Sequence, residues 1–473
     1  MKNSRYLTTT LPYVNADPHL GFALEIVQAD CLARFYRFEG VRVFFNTGTD
    51  EHGLKIYRKA LEAKQDPQEY ANEFAAKFDR LKKALNLSYT NFIRTTDPDH
   101  KKSAREFWQR CLKNGDIFKA KQKIKYCVGC ELEKTDSELR NGYCPYHPNK
   151  PIEILKEENY FFRFSRYQEP LLQLYQKNPE FVLPREKFQE IKKFVAGGLK
   201  DFSISRLKKK MPWGVNVPGD PEHVMYVWFD ALVNYISAIG WPKDPKKFKK
   251  WWPVIQFAGK DNLRQQSAMW QAMLLSAGLP PSKQILIHGF ITADGQKMSK
   301  SLGNVINPFD LVNKYGTDAV RYYLLREIPP FKDGDFSSTR FKQLYQSDLA
   351  NGLGNLISRV AKLCQNSGII FGKKETGIPD KSIKAKIKNY RPDLALEKIW
   401  KKIDLENKRI NDQKPWELSG RKLKDFLLKS ASEIVRIGLC LQPFLPETAE
   451  KILKQFNNRS KVKIAAPLFP RLN

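Results

Sequence analysis

No run of apolar residues in this 473-residue chain approaches the length needed to cross a bilayer, ~18–20 residues. The opening MKNSRYLTTT holds no apolar secretory core either. Both absences point to a cytoplasmic protein. Cysteine is sparse and uneven. Of seven, Cys31, Cys111, Cys364 and Cys440 are scattered through apolar helical patterns, while Cys127, Cys130 and Cys144 cluster. An odd, mostly dispersed set excludes a disulfide framework and fits a reducing compartment. Acidic residues are in deficit: 51 Asp and Glu against 81 Lys and Arg leave a net charge of +30. That excess suits a polyanionic partner, since each neutralised phosphate releases counterions, although a uniformly lysine-rich proteome would give the same charge. Disorder is excluded by a hydrophobic content of 42% with 12% aromatics.

What is present reads as an α/β chain followed by helices. YLTTT (6–10) and VRVFFN (41–46) have strand character, and between them Leu24, Val27, Cys31, Phe35 and Phe38 recur at helical spacing up to Gly40. Strand, helix and strand in so short a span predict a βαβ unit and a doubly wound parallel sheet. VIQFAG (254–259), a helix over 264–277 and QILIHGF (284–290) predict a second set. Beyond Gly334 long helical patterns take over, at 341–366, 393–411, 421–441 and 446–456, and predict an all-α bundle. The polar stretch GKKETGIPDKSIKAKIKNYRPD is expected to be an exposed loop.

Two segments carry anion-binding character. In VNADPHLGF, Asp17 is placed to cap a helix with Pro18 at its first position, which sets His19 and Gly21 among the free N–H groups of the first turn. After the last strand, ADGQKMSKSLGN carries Lys297 and Lys300 on a Gly/Ser-rich loop, able to neutralise charge as a pyrophosphate departs. A third cluster is metal-like. Cys127-x2-Cys130 and Cys144-x2-His147, thirteen residues apart, suit a closed tetrahedral Zn²⁺ site of three thiolates and one imidazole. With no open position it is structural, clasping an insertion with little core of its own.

Taken together, the HLG and KMSKS strings resemble the two signature motifs of class I aminoacyl-tRNA synthetases. Over nearly the whole chain the likeness is to the methionyl-tRNA synthetase family: LPYVNADPHLG, FFNTGTDEHG, YCVGCE, CPYH, SISR, VWFDALVNY, HGFITADGQKMSKSLGN, GTDAVRYYLLRE, NLISR and KPW. The resemblance implies a Rossmann-like catalytic domain in two halves (1–115 and 201–292), a zinc-binding connective insertion (116–200), a KMSKS and stem-contact region (293–340) and a helical anticodon-binding domain (341–473). It implies activation of methionine by ATP with Mg²⁺, transfer to tRNA(Met), and catalysis by His19, Lys297 and Lys300. Asn15, Gly21, Gly259, Asp261 and His288 would complete the ATP site. Leu11, Tyr13, Asp50, Arg206, Trp228, Ala231 and Tyr235 would hold methionine, with Asp50 on the ammonium and Arg206 near the carboxylate. The spacing of Trp228, Ala231 and Tyr235 puts them on one helix face. Asn355, Arg359, Pro415 and Trp416 would meet the anticodon. Some relatives carry a further dimerising domain after the point where this sequence ends, and a monomer is the expectation.

The chain departs from the family pattern in two places. The first motif usually ends in a second histidine where this chain has Phe22, and Asn262 and Gln266 stand where an isoleucine and a histidine often line the pocket. Two alternatives therefore stay open: a tRNA-binding paralogue without activity, or a class I synthetase for another apolar amino acid. The large editing domain common in the leucine, isoleucine and valine enzymes has no room here, because sheet and insertion already fill the interval between the motifs.

Overall fold

The computed structural model describes residues 4–130, 132–134, 138–298, 303–368, 370, 375–457 and 460–472. The chain divides into two compact units. One comprises Met1–Asp17, Phe44–Arg80 and Tyr89–Ile287, the other Pro18–Val43, Leu81–Ser88 and His288–Asn473.

The first unit is built on a six-stranded sheet. Its strands are β1 (Ser4–Thr8), β2 (Arg42–Thr49), β3 (Asn91–Arg94), β4 (Val182–Leu183), β5 (Ile255–Gly259) and β6 (Gln284–His288), in the order β3-β2-β1-β5-β6-β4. The β2–β3, β1–β5 and β4–β6 pairings are parallel. The order runs outward in both directions from β1, as doubly wound sheets do, and such sheets bind ligands beyond the carboxyl ends of their strands. A large core of Tyr6, Phe107, Trp108, Phe229, Trp241, Trp270 and their neighbours packs within this unit. An antiparallel ribbon leaves the sheet: strand Ile117–Cys127 pairs residue for residue with Glu153–Phe162, and the Cys/His cluster lies between them.

In the second unit the described helices include α1 (Leu20–Phe38), α2 (Thr317–Arg326), α3 (Asn355–Ser367), α4 (Lys381–Lys388), α5 (Pro392–Gln413), α6 (Gly420–Leu441) and α7 (Pro446–Phe456). Apolar residues of α5 recur at Leu396, Ile399, Ile403 and Ile410, a single buried stripe. Arg321 of α2 is wholly buried, 2.9 Å from Asp30 of α1, and donates to the carbonyls of Leu85, Pro443 and Phe444. One guanidinium thus satisfies three backbone carbonyls and faces a carboxylate at once.

Two expectations need correction and a third needs refinement. The polar stretch read as a loop contains α4, because Ile383 and Ile387, one turn apart, are buried and Asp380 caps its first turn. The helix expected over 341–366 is helical throughout but widens into a π-helix from Tyr345 to Gly354, where Gly352 and Gly354 lie close to the carbonyls of Ser347 and Leu349. Trp228, Ala231 and Tyr235 do not share one continuous helix: Val227–Leu232 and Asn234–Ser237 are separated by a break at Val233.

Candidate active site

In the first unit, the chain leaving β1 runs alongside the end of β2. Asp50 N–H donates to Pro12 O at 3.0 Å, Val14 N–H donates to Asp50 O at 3.2 Å, and Tyr13 and Asp50 form a parallel bridge. This sets Tyr13 beside Asp50, whose side chain is 3% exposed. Tyr13 meets Trp228 edge to face, with centroids 6.4 Å apart, and both pack with Tyr126, Val128, Tyr226 and Val227. Arg206, equally buried, donates from Nη1 to Ser203 Oγ and Ser205 O, and its guanidinium lies 4.3 Å from the Tyr226 ring centre. Leu11 and Asn15 are half-buried on the same segment as Tyr13, and Ala231 is buried. A buried carboxylate, a buried guanidinium and aromatic walls are what an apolar zwitterion calls for.

Gln266 is fully buried in the π-helix Gln265–Met269, donates to Tyr235 Oη at 2.9 Å and accepts from Gln256 Nε2 at 2.8 Å. Asn262 ends the 3-10 turn Lys260–Asn262, outside that chain of hydrogen bonds; Asp261 of the same turn is exposed, and Gly259 ends β5.

Sequence reasoning missed the supports of the Asp50 turn. Asp230 is buried between His52 Nδ1 at 2.6 Å and His100 Nε2 at 2.8 Å. Burial alone would raise its pKa, but the two imidazoles outweigh it and hold the carboxyl below the usual range. Glu51 is gripped by Arg94 through both carboxylate oxygens, and Trp213 Nε1 donates to its carbonyl. The clue was the Asp-Glu-His run at a strand end. Its partners lie far away in sequence.

In the second unit the first turn of α1 differs from expectation. Asp17 does not cap it but meets Lys77 at 3.2 Å; His19 is the cap, its Nδ1 accepting from Gly21 N–H at 3.1 Å. Leu20 N–H goes to Ile306 O, and Phe22 and Ala23 N–H both go to His19 O. The four first-turn donors are therefore occupied, and an anion here would meet the imidazole and the helix dipole. Because Nδ1 accepts, the neutral ring carries its proton on Nε2, ready to donate. The ring reaches solvent, yet the protein crowded around it lowers its pKa toward the neutral form. A Cβ on Gly21 would sit 2.8 Å from the His19 ring, so glycine is required for this cap. His288 is buried, with Nε2 2.7 Å from Glu25 Oε2 and Nδ1 donating to Gly289 O. Lys297 ends the short strand Gln296–Lys297, paired with Thr292; Lys300 lies outside the described residues.

The ligand atoms of Cys127, Cys130, Cys144 and His147 all lie within 4.8 Å of one another. Zn–S bonds of ~2.3 Å and Zn–N of ~2.0 Å imply ligand separations of about 3.5–3.8 Å. The observed Cys127–His147, Cys130–Cys144 and Cys130–His147 distances are 3.8, 3.4 and 3.2 Å. A Cβ on Gly129 would fall 2.4 Å from the His147 ring, so the turn is shaped to admit that imidazole. The set fits Zn²⁺.

Farther along the second unit, Trp416 is 56% exposed in the turn after α5, with Pro415 buried beneath. It is not at a helix start, since α6 begins at Gly420. The Arg359 guanidinium lies 5.9 Å from its ring centre and donates to Asn411 Oδ1 at 2.9 Å, while Asn355, one turn earlier on α3, is exposed.

The family model described as tRNA synthetases class I (M) matches residues 5–151 and 133–361, and the chain belongs to the class I aminoacyl-tRNA synthetases. The methionine–tRNA ligase of Thermotoga maritima is 42% identical over 96% of this chain and 76% of its own length. That of Synechocystis is 44% identical over 95% and 88%. Mycobacterium tuberculosis methionyl-tRNA synthetase in complex with methionyl-adenylate superposes with a TM-score of 0.92 at 35% identity, covering all of both chains. Its apo form gives 0.85 at 32%. Within the class, the chain falls in the methionine–tRNA ligase family.

Proposed function

We propose that the chain works as a methionine–tRNA ligase, using the residues above in the roles that follow. The observation carrying this reading is that Asp50, bridged to Tyr13, and Arg206, against the Tyr226 ring, are both buried beside one aromatic cluster. Asp50 takes the methionine ammonium and Arg206 steadies the carboxylate, while Leu11, Tyr13, Trp228, Ala231 and Tyr235 enclose the side chain. The carboxylate attacks the α-phosphorus of ATP and pyrophosphate leaves. His19 donates from Nε2 to the phosphates, Lys297 and Lys300 neutralise charge on the departing pyrophosphate, and Asn15, Gly21, Gly259, Asp261 and His288 complete the nucleotide site. The terminal adenosine of tRNA(Met) then attacks the methionyl carbonyl and AMP leaves.

Zinc would be held by Cys127, Cys130, Cys144 and His147, where it would clasp the insertion without supplying chemistry. Mg²⁺ would accompany the substrate phosphates, its usual habit. Among the described residues the candidate metal cluster is the thiolate one, a poor match for a hard cation. Residues 1–115 and 201–292 serve as the catalytic domain, 116–200 as the insertion, 293–340 as the stem-contact region and 341–473 as the anticodon reader. In the last, Asn355 and Arg359 read base edges and Trp416 stacks on an unpaired base above Pro415. No described helix is long and apolar enough to cross a membrane. We place the enzyme in the cytoplasm as a monomer, its basic excess adding tRNA affinity.

ATP–pyrophosphate exchange with methionine, leucine, isoleucine, valine and cysteine tests the reading. Strong exchange with methionine alone is expected. Exchange with another amino acid moves the specificity, and none at all leaves a tRNA-binding paralogue.

A further inference from the structure

Arg206 lies on a short strand, Ser205–Leu207, that pairs antiparallel with Asp220–Met225. The strand ends in a tight turn. Leu207 O accepts from Lys210 N–H at 2.9 Å and from Met211 N–H at 3.0 Å, while Lys208 N–H donates to Glu222 O at 2.7 Å. Met211 is buried and anchors the turn, whereas Lys208, Lys209 and Lys210 are all exposed. Just beyond it, Trp213 packs with Tyr13 against one buried cluster, donates from Nε1 to Glu51 O and accepts at its carbonyl from Gly53 N–H. The turn is thus fixed at one end by Arg206 and at the other by the neighbours of Asp50. Lys208 is two residues from Arg206, so their Cα atoms lie within ~7 Å of each other. Two further lysines extend the basic edge: Lys101 Nζ is 5.9 Å from the Trp213 ring centre, and Lys55 Nζ is 5.6 Å from that of Tyr13. The carboxylates close by offer little compensation. Asp220 is held by Lys119 at 3.0 Å and Glu51 by Arg94, which leaves Glu222 exposed on the paired strand.

From this placement we infer that the Lys208–Lys210 turn is a binding surface for the phosphates of the single-stranded 3′ end of the tRNA. The inference rests on the proposed function. Transfer requires the terminal adenosine to reach a methionyl carbonyl beside Arg206, so the phosphates leading to it must cross the edge of this site. Ammonium groups on a fixed turn can follow that backbone without reading a base, as basic grooves for single strands do. Each neutralised phosphate releases condensed counterions, so the contact weakens as salt rises. Lysines spread evenly over a basic surface would instead draw in the whole polyanion from any side.

The test compares the triple variant Lys208→Gln, Lys209→Gln, Lys210→Gln with a control of equal charge loss. The control is Lys246→Gln, Lys249→Gln, Lys250→Gln, on the helix Pro245–Trp251 of the same unit. Both should keep the wild-type thermal midpoint and the wild-type rate of ATP–pyrophosphate exchange with methionine, a half-reaction without tRNA. In aminoacylation, the turn variant should raise KM for tRNA(Met) about tenfold at ~50 mM salt, with the gap closing as salt increases. In direct binding, its plot of log affinity against log salt should flatten by about 2, at ~0.7 for each single-strand phosphate. The control should stay close to the wild type in both measurements. tRNA(Met) trimmed of its single-stranded 3′ end should bind the wild type and the turn variant alike. Equal effects of the two triple variants, or a defect of the turn variant that persists on trimmed tRNA, would overturn the inference. A wild type that activates no methionine overturns the proposed function and this inference with it. The two failures are distinguishable, because the first shows only between variants and the second in the wild type alone.

Discussion

The proposed amino-acid pocket and the first turn of α1 solve opposite problems. In the pocket, Asp50, Arg206 and Tyr235 are nine-tenths buried or more, and the turn bearing Asp50 is braced by Asp230, Arg94 and Trp213. At the turn, His19 is an exposed residue with protein crowded about its ring, and its Nδ1 is held by the Gly21 N–H. An apolar side chain is recognised by shape and dryness, so its site is built in advance. A phosphate brings its own charge, and the protein needs only an oriented donor at a helix start.

The widest break in that contrast comes from the metal. Chelation, or Cys127→Ser, should remove structural binding energy of order 10 kcal/mol from the insertion of the first unit. The expected results are one zinc per chain in the native enzyme and new protease cleavage within 128–152 once it is removed, with the helical signal of the second unit retained. An apo-protein as protease-resistant as the native one would sink the clasp. The contrast sharpens with Asp50→Ala against His19→Ala. Stranding a buried charge costs about 3–5 kcal/mol, so Asp50→Ala should raise KM for methionine by ~10²-fold or more. Losing a donor to developing charge costs ~10²–10³ in kcat, so His19→Ala should slow adenylate formation with KM for methionine little changed. Steady-state kinetics that moved the same constant in both would erase the distinction.

The smallest effect separates two buried aspartates. Asp230 is held low by two imidazoles, but Asp318 is pushed up to about 6 by burial, which Thr448 N–H at 2.6 Å and Arg321 only partly offset. A raised carboxyl binds more protons folded than unfolded, so stability is lost as pH rises from about 4 through 6. At pH 8 the penalty approaches ~3 kcal/mol, from about two units at 1.36 kcal/mol each. Asp318→Asn keeps an acceptor for Thr448 and should raise the thermal midpoint at pH 8, the gain fading toward pH 4. A gain independent of pH would rule out titration of Asp318 as its source.

Local patterns were legible where local physics acts alone. The Cys-x2-Cys and Cys-x2-His pairs predicted converging ligands because turn geometry sets their spacing, and the four atoms do converge. The stripes of α5 and α7 were readable because apolar spacing encodes a buried face. By contrast, α4 reads as loop, since Ile383 and Ile387 are the only large apolar residues among its lysines and their burial depends on neighbours distant in sequence. The cap of α1 was assigned to Asp17 on propensity. Lys77 claims that carboxylate, and Gly21 leaves room for His19 instead.

The sequence by itself determined the parallel sheet, the converging Cys/His cluster, the helical C-terminal region and the family, because periodicity, spacing and motif strings are local. Only the tertiary structure decided which polar groups are satisfied and in what direction. The first-turn donors of α1 are engaged, Asp230 is bracketed by two histidines, and Gln266 is hydrogen-bonded between Gln256 and Tyr235. A hydrogen bond needs a partner of opposite polarity at ~3 Å, and partners a hundred or more residues apart are chosen by the fold.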